Sequence, residues 1–382
     1  MRDIAIVGAG KIGSMIADFL GHSGDYRLTV IDRSSEALDR LETKTQVKRA
    51  VIDINNAEQL QAALKGKFAV LSAAPFQLTP AIVTAAKAMG VHYLDLSEDV
   101  ANTRLIKQLA EGASTAFIPQ CGLAPGFITI VGHELARHFD RLQDLRLRVG
   151  ALPQYPSNAL NYNLTWSTDG VINEYCEPCE VIANGEMHEV PALEEREEFS
   201  LDGITYEAFN TSGGIGTLCE TLKGRVQNLN YRTIRYPGHA AIMKALLQDL
   251  RLRERRDVLK DILENALPTT LQDVVIVFVT VTGWKQSRFV QETYANKVYG
   301  QTVNGEPRSA IQITTAAGIC TVLDMLAKGK LPQQGFVRQE EIGLEPFLQN
   351  RFGRVYATNA PMTMEVPEHM NEVRHVSGAG RH

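Results

Sequence analysis

The hydrophobic pattern of this chain changes period once. Over roughly the first 120 residues, short apolar runs alternate with helical spacings. Segments 1–7, 27–31, 47–52, 68–74, 92–96 and 116–119 read as buried strands. Between them, 14–20, 56–64, 80–89 and 100–112 repeat their apolar positions at helical intervals, and Gly90 closes the third helix. Strands alternating with helices predict a parallel sheet with right-handed crossovers. After Gly126 one more helix is expected, at about 127–138. Then Leu145-Arg146-Leu147-Arg148-Val149 alternates apolar and charged residues. That period of two marks a half-exposed strand of the kind antiparallel sheets carry. Segments 163–166, 204–210, 226–235, 273–283 and 288–299 are expected to complete a mostly antiparallel sheet. An Asn184-Gly185 hairpin turn interrupts 181–186, and a helix lies near 239–250. A long apolar helix over 310–326 is expected to return to the first domain. Periodicity is lost from Pro361, so 360–382 reads as a mobile tail.

The first turn carries the most specific chemistry. A strand runs straight into Gly8-Ala9-Gly10-Lys11-Ile12-Gly13 and then into a helix. This is the dinucleotide-binding arrangement. Gly8 allows the tight turn, Gly10 lets backbone approach a pyrophosphate, and Gly13 lets helix pack on strand. The helix N-terminus offers unpaired N–H groups and a partial positive charge to the phosphates. The second strand ends in Asp32, placed where a carboxylate binds a ribose 2′-hydroxyl. A carboxylate repels a 2′-phosphate, so NAD is expected over NADP. The neighbouring Arg33 would stack on adenine or accept that phosphate. The expected class is therefore α/β: an N-terminal doubly wound parallel (Rossmann) sheet formed by 1–124 with 310–350, and a second α+β domain over 125–309. That second domain is expected to hold the substrate and to dimerise.

Composition narrows the class of partner. A net charge of -5 and a sequence pI near 6.0 argue against a nucleic-acid surface. No apolar run is expected to reach the roughly 18–20 residues of a membrane span. The N-terminus enters a strand directly, so no signal peptide is visible. Five cysteines at scattered positions suit a reducing compartment better than a disulfide framework. The expectation is a cytoplasmic protein with a small-molecule substrate, no nucleic-acid or membrane partner, and a homodimeric assembly. Cys176-Glu177-Pro178-Cys179 lacks a second ligand pair, and no metal is expected.

Ligands of doubly wound sheets lie beyond the C-terminal ends of the strands. That places Asp53 after the third strand, near an adenine. Ala73, Ala74 and Pro75 follow the fourth strand, where small residues leave room for ribose and nicotinamide. Asp95 and Ser97 follow the fifth, and Gly122-Leu123-Ala124-Pro125-Gly126 the sixth. In the second domain Phe209-Asn210-Thr211-Ser212-Gly213-Gly214 is a strand entering a hydroxyl- and glycine-rich loop. Tyr231-Arg232-Thr233-Ile234-Arg235-Tyr236-Pro237-Gly238-His239 is a strand entering a turn. Arg235 is the candidate carboxylate clamp, because its planar fork matches a carboxylate. The Thr211 and Ser212 hydroxyls are candidate helpers. His239 is the first candidate for general acid or base, and Asp95 the second.

These runs, with Leu164-Thr165-Trp166-Ser167-Thr168-Asp169-Gly170-Val171-Ile172, resemble the saccharopine dehydrogenase family over about 1–350. Within it they are most similar to the lysine 6-dehydrogenase-type branch. The resemblance implies NAD(P)-dependent oxidation at a carbon–nitrogen bond of an amino acid, or reduction of the matching imine. It implies that Gly122–Gly126 and Ser167 lie near the cofactor. Ala124 stands where saccharopine reductases usually carry Asp, and a larger helical insertion of those enzymes is missing. The expected activity is therefore oxidative deamination of a primary amine, plausibly the ε-amine of lysine. The alternatives are a saccharopine or carboxy-polyamine reductase using NADPH, and a cofactor-binding protein without turnover.

Overall fold

Six of the expected strands form the parallel sheet in a computed structural model that describes residues 1–41, 43 and 45–357, and the backbone of 362–365. They are β1 (Arg2–Val7), β2 (Tyr26–Asp32), β3 (Lys48–Val51), β4 (Ala69–Ser72), β5 (His92–Asp95) and β6 (Ala116–Ile118). A short seventh strand, Gly335–Phe336, joins β6, and the spatial order is 335–336, β6, β5, β4, β1, β2, β3. All neighbours run parallel. Side chains of successive residues leave opposite faces of a strand. Ile4, Ile6, Val30, Leu71 and Leu94 therefore pack on one side, with Met15, Ile16 and Leu20 of α1 (Lys11–Ser23). Ala5, Val7, Ile31, Val70 and Tyr93 pack on the other, with Leu60, Ile82, Val83 and Ile106. Burying each such aliphatic side chain contributes about 1.5–3 kcal/mol. Strand order reverses between β1 and β4, which opens the crevice where doubly wound folds bind ligands.

Among the described residues the second sheet has nine strands. Its main path runs Glu197–Leu201, Ile204–Asn210, Asn228–Arg235, Arg141–Pro153 (β7), Asp273–Lys285, Arg288–Tyr299 and Met362–Glu365. Neighbours are antiparallel except Asn228–Arg235 against β7, which run parallel. A hairpin, Cys179–Ala183 with Glu186–Val190, hangs from Asn228–Arg235. The expected tail at 360–382 lies outside the described residues apart from Met362–Glu365, a strand of this sheet.

The segment 163–166 is not a strand, and there Leu164 makes only one isolated bridge, to Thr269. Asn158 intervenes: its amide donates to the Tyr162 carbonyl at 2.7 Å and to Asn163 Oδ1 at 3.2 Å. Side-chain bonds of this kind compete with a strand ladder. Next to it a helix that the pattern does not announce, Thr168–Cys176, begins at Ser167, whose hydroxyl accepts from the Gly170 N–H.

The long helix Ala310–Ala327 joins the two sheets. Asp273 of the second sheet accepts from the Ala310 and Ile311 N–H groups, and Ser309 and Gln312 form a capping box. Near its other end Asp324 accepts from Tyr26 of β2 at 2.8 Å. This helix does reach the length and apolarity of a membrane span, contrary to the expectation from composition, yet 89% of its most apolar window is buried inside the protein. A helix enclosed on all sides has no polar face to keep.

Candidate active site

A cleft of about 440 Å³ lies where the two sheets meet. Its lining comes from both domains. Gly10, Lys11 and Ile12 follow β1. Ala73, Ala74 and Pro75 follow β4, Asp95, Ser97 and Glu98 end or follow β5, and Gly122, Leu123 and Ala124 follow β6. From the second sheet come Val149 and Ala151 of β7, and Tyr231, Thr233 and Arg235. Their spacing of two puts them on one face of the sheet, which forms the floor. Trp166, Ser167, Asp169 and Glu174 come from the segment around Thr168–Cys176, and Ile311, Gln312 and Thr315 from the long helix.

The end nearer the parallel sheet is made of main chain. A Cβ at Gly13 would stand 1.9 Å from the Gly8 carbonyl oxygen, so the helix sits directly on the loop. At Gly10, by contrast, a Cβ would meet nothing within 4 Å. Gly10 is the N-cap of α1 and opens on the cleft. The loop is held from beneath. Asp32 Oδ2 accepts from the Ala9 N–H at 2.8 Å and Oδ1 from the Ser34 N–H at 3.0 Å. An open N-terminal turn over a fixed loop fits a pyrophosphate. Gly8, Gly13, Asp32 and Arg33 support or border this loop and do not line the cleft itself. Arg33 is exposed and makes no ion pair among the described residues. Asp53 is exposed in its own turn, accepting from the backbone and side-chain N–H groups of Asn55.

Asp95 lines the cleft, but donors already surround it. Tyr93 donates to Oδ2 at 2.8 Å, and the backbone N–H groups of Gln120 and Ser97 donate to Oδ1 at 2.8 and 3.3 Å. Burial raises its pKa to about 6 against those bonds. Its main work is to fix the turn that leads into Gly122. Three residues along, Glu98 has no ion-pair partner among the described residues, and loss of hydration raises its carboxyl to about 7.

The far end is made of buried side chains. Arg235, 2% exposed, donates from Nε to the Tyr175 hydroxyl at 2.9 Å and from Nη1 to the Ile234 carbonyl at 2.9 Å. The partners fix the order of donors beyond it. His239 Nδ1 lies 2.9 Å from the Leu160 carbonyl, which only accepts, so Nδ1 carries the proton. Nε2 therefore accepts from the Tyr175 hydroxyl at 3.0 Å. Arg235, Tyr175, His239 and Leu160 form one directed chain. Glu174, from the same helix as Tyr175, stands 3.5 Å from Arg235 Nη2. Loss of hydration raises its pKa to about 8, although Arg235 pulls it down.

At this end three expected site residues, His239, Thr211 and Ser212, do not reach the cleft, as Asp53 does not at the other. His239 is 1% exposed behind Tyr175, and burial followed by the Arg235 charge lowers its pKa to about 3. It is a neutral acceptor in a structural chain, not a proton donor to substrate. The Thr211 hydroxyl lies 2.6 Å from that of Thr233, and the Ser212 hydroxyl donates to the Pro178 carbonyl at 2.8 Å. Both are buried beside the floor, and the Ser212 N–H holds the Glu174 carbonyl at 2.9 Å. Cys176 and Cys179 are separate buried thiols. Conversely, Glu98, Glu174 and Tyr175 were not singled out by sequence. The period of two through Tyr231 and Thr233 was the available signal for the floor. Nothing local announces Glu174.

Comparison with known proteins follows the same two parts. Residues 4–116 match the saccharopine dehydrogenase NADP binding domain, and 122–352 match the saccharopine dehydrogenase C-terminal domain. The mitochondrial alpha-aminoadipic semialdehyde synthase of Bos taurus is 22% identical over 335 residues, 80% of this chain and 34% of that protein. Its Rattus norvegicus counterpart is 22% identical over 197 residues, 49% of this chain and 21% of that protein. The chain thus spans a fifth to a third of the length of these relatives. Among solved structures, apo histidine-tagged saccharopine dehydrogenase (L-Glu forming) from Saccharomyces cerevisiae superposes with a TM-score of 0.78 at 16% identity. That match covers 95% of this chain and 100% of the other, and it shows a shared fold.

Proposed function

Because the chain belongs to the saccharopine dehydrogenase family, we propose that it is a nicotinamide-dependent amino-acid oxidoreductase that oxidises a primary amine, with the ε-amine of lysine as the favoured substrate. One observation carries this reading. Among the described residues the cleft lining holds a single guanidinium, Arg235, against the carboxyls of Asp95, Glu98, Asp169 and Glu174. A substrate with several carboxylates, such as saccharopine, would bring like charges to that end. A substrate with one carboxylate and amines suits it.

Gly10, Lys11 and Ile12 would hold the pyrophosphate, and Asp32 the adenosine ribose. When bound, a nicotinamide accepts a hydride from carbon or returns one to it. The protein prepares the substrate. Glu98 takes a proton from the substrate ammonium, which leaves a neutral amine. The nitrogen lone pair then forms the C=N bond as hydride leaves the same carbon. Water adds to the iminium carbon and ammonia departs, or a second amine of the substrate closes on it. A carboxyl whose pKa lies near 7 suits that exchange. Asp95 and the glycine loop it fixes close the cleft on one side.

Asp32 favours NAD, whereas exposed Arg33 beside it favours NADP, the cofactor named in the matched domain. A screen of amino acids with NAD and with NADP, read as absorbance of reduced cofactor, tests the reading. Turnover with lysine and NAD is expected. Turnover only of saccharopine or a carboxylated polyamine with NADP supports the reductase alternative. Cofactor binding with no turnover of any amine or imine supports a non-catalytic role.

A further inference from the structure

Arg235 and Glu174 make an incomplete pair. Both line the cleft and are 2% and 8% exposed. Nε and Nη1 of Arg235 are bonded within the protein, and Nη2 donates no hydrogen bond among the described residues. Glu174 Oε1 is buried and has no hydrogen-bond partner. The two atoms face each other at 3.5 Å, an ion-pair distance without a hydrogen bond. A donor and an acceptor that are buried together without hydrogen bonds are costly in a fold unless something completes them.

The ligand that completes both must itself be a pair. A carboxylate alone would satisfy Arg235 and leave Glu174 Oε1 without a donor. An amine alone would do the reverse. An α-amino acid carries ammonium and carboxylate on one carbon, at a spacing that matches the two protein atoms. We propose that Arg235 and Glu174 together are the receptor for the zwitterionic head of an α-amino acid, with Nη2 taking its carboxylate and Oε1 its α-ammonium. The consequence for chemistry rests on the oxidoreductase reading above. Hydride leaves only a carbon bearing a neutral amine. An α-ammonium held on Glu174 stays protonated, so the α-carbon is protected and the oxidised bond lies at a second amine. Glu174 thus selects which carbon–nitrogen bond reacts.

The test is binding to the cofactor-loaded protein, measured by calorimetry. A panel of L-amino acids identifies the tightest binder, which is then paired with its desamino analogue (6-aminohexanoate in the case of lysine). Wild type should prefer the amino acid by about tenfold or more. Glu174→Gln should lose most of that preference while its affinity for the desamino analogue stays within about threefold, which also reports that the variant is folded. Equal binding of the two ligands by wild type, an equal loss for both in the variant, or binding of no amino acid would overturn the proposal. The expected preference without turnover would instead count against the oxidoreductase reading alone.

Discussion

At the parallel-sheet end of the cleft the ligand would meet main chain: Gly10 opens on it, and Gly8 and Gly13 hold the loop within one stretch of six residues. At the other end it would meet Arg235, Glu174 and Tyr231, from segments up to 61 positions apart, each fully enclosed or nearly so. The first end relies on space and dipoles, which tolerate any side chain that keeps the backbone shape. The second relies on charges in a low-dielectric pocket, where each group depends on its partners. Changes at the two ends should therefore separate cofactor affinity from substrate chemistry.

The largest separation is expected from Arg235→Met. It removes one member of a buried pair, leaves Tyr175 without its donor and takes the positive charge away from Glu174. Such losses run to about 3–5 kcal/mol. Substrate kcat/KM should fall by about 100-fold or more, with cofactor Kd, read by fluorescence titration, within about twofold. An equal loss of cofactor affinity would erase the distinction between the ends.

Glu98→Gln should lower kcat by about 100-fold, in the range of a lost general base. The sign with pH follows from the pKa near 7: wild-type activity should rise as pH passes upward through that value, because it is the ionised carboxyl that could accept the proton. The variant should lose that limb. A limb that survives would place the base elsewhere.

At the opposite end, Gly13→Ala puts a methyl against the Gly8 carbonyl. Cofactor Kd should rise by about tenfold or more as the turn shifts. Substrate kcat at saturating cofactor should change much less.

The smallest effects test the supporting chain. His239→Gln should cost under about tenfold in kcat/KM, through a looser Tyr175, with the pH profile unmoved because His239 is already neutral. Glu174 also leaves a signature in stability. Its pKa is about 8 in the folded protein and about 4.3 unfolded. Below the lower value both states are protonated. Between the two, only the unfolded state is ionised, so wild-type stability falls as pH rises. Gln does not titrate. The Tm of Glu174→Gln minus that of wild type should thus grow between about pH 5 and pH 8. A gap independent of pH would mean that Glu174 is not buried as a neutral acid.

The same contrast explains what was legible. β1, the glycine loop and α1 are neighbours in sequence, and local rules for strand, turn and helix specify them together. The Gly122 loop and Arg235 were also found, since each follows or ends a patterned strand. His239 misled because it lies four residues after Arg235. Gly238, at φ 98°, turns the chain, and the histidine enters a helix whose first N–H groups are bonded by buried Glu207. Its hydrogen bonds reach Arg235 through Tyr175. Thr211 and Ser212 looked like ligand hydroxyls, but packing directs them to Thr233 and Pro178. Glu174 was invisible for another reason. Its helix contains Gly170, Thr168 and Asn173, weak helix formers, and is stabilised by burial rather than by propensity. Its partner is 61 residues away in the chain. Long-range charge pairing leaves no local period to read.

The central claim is that hydride passes between nicotinamide and the amine-bearing carbon of an amino acid held by the far end of the cleft. It is tested most directly by incubating the protein with NAD and L-lysine deuterated at its ε-carbon, and weighing the reduced cofactor by mass spectrometry. NADH that carries one deuterium is expected. Reduced cofactor without label, or none formed, would contradict the claim.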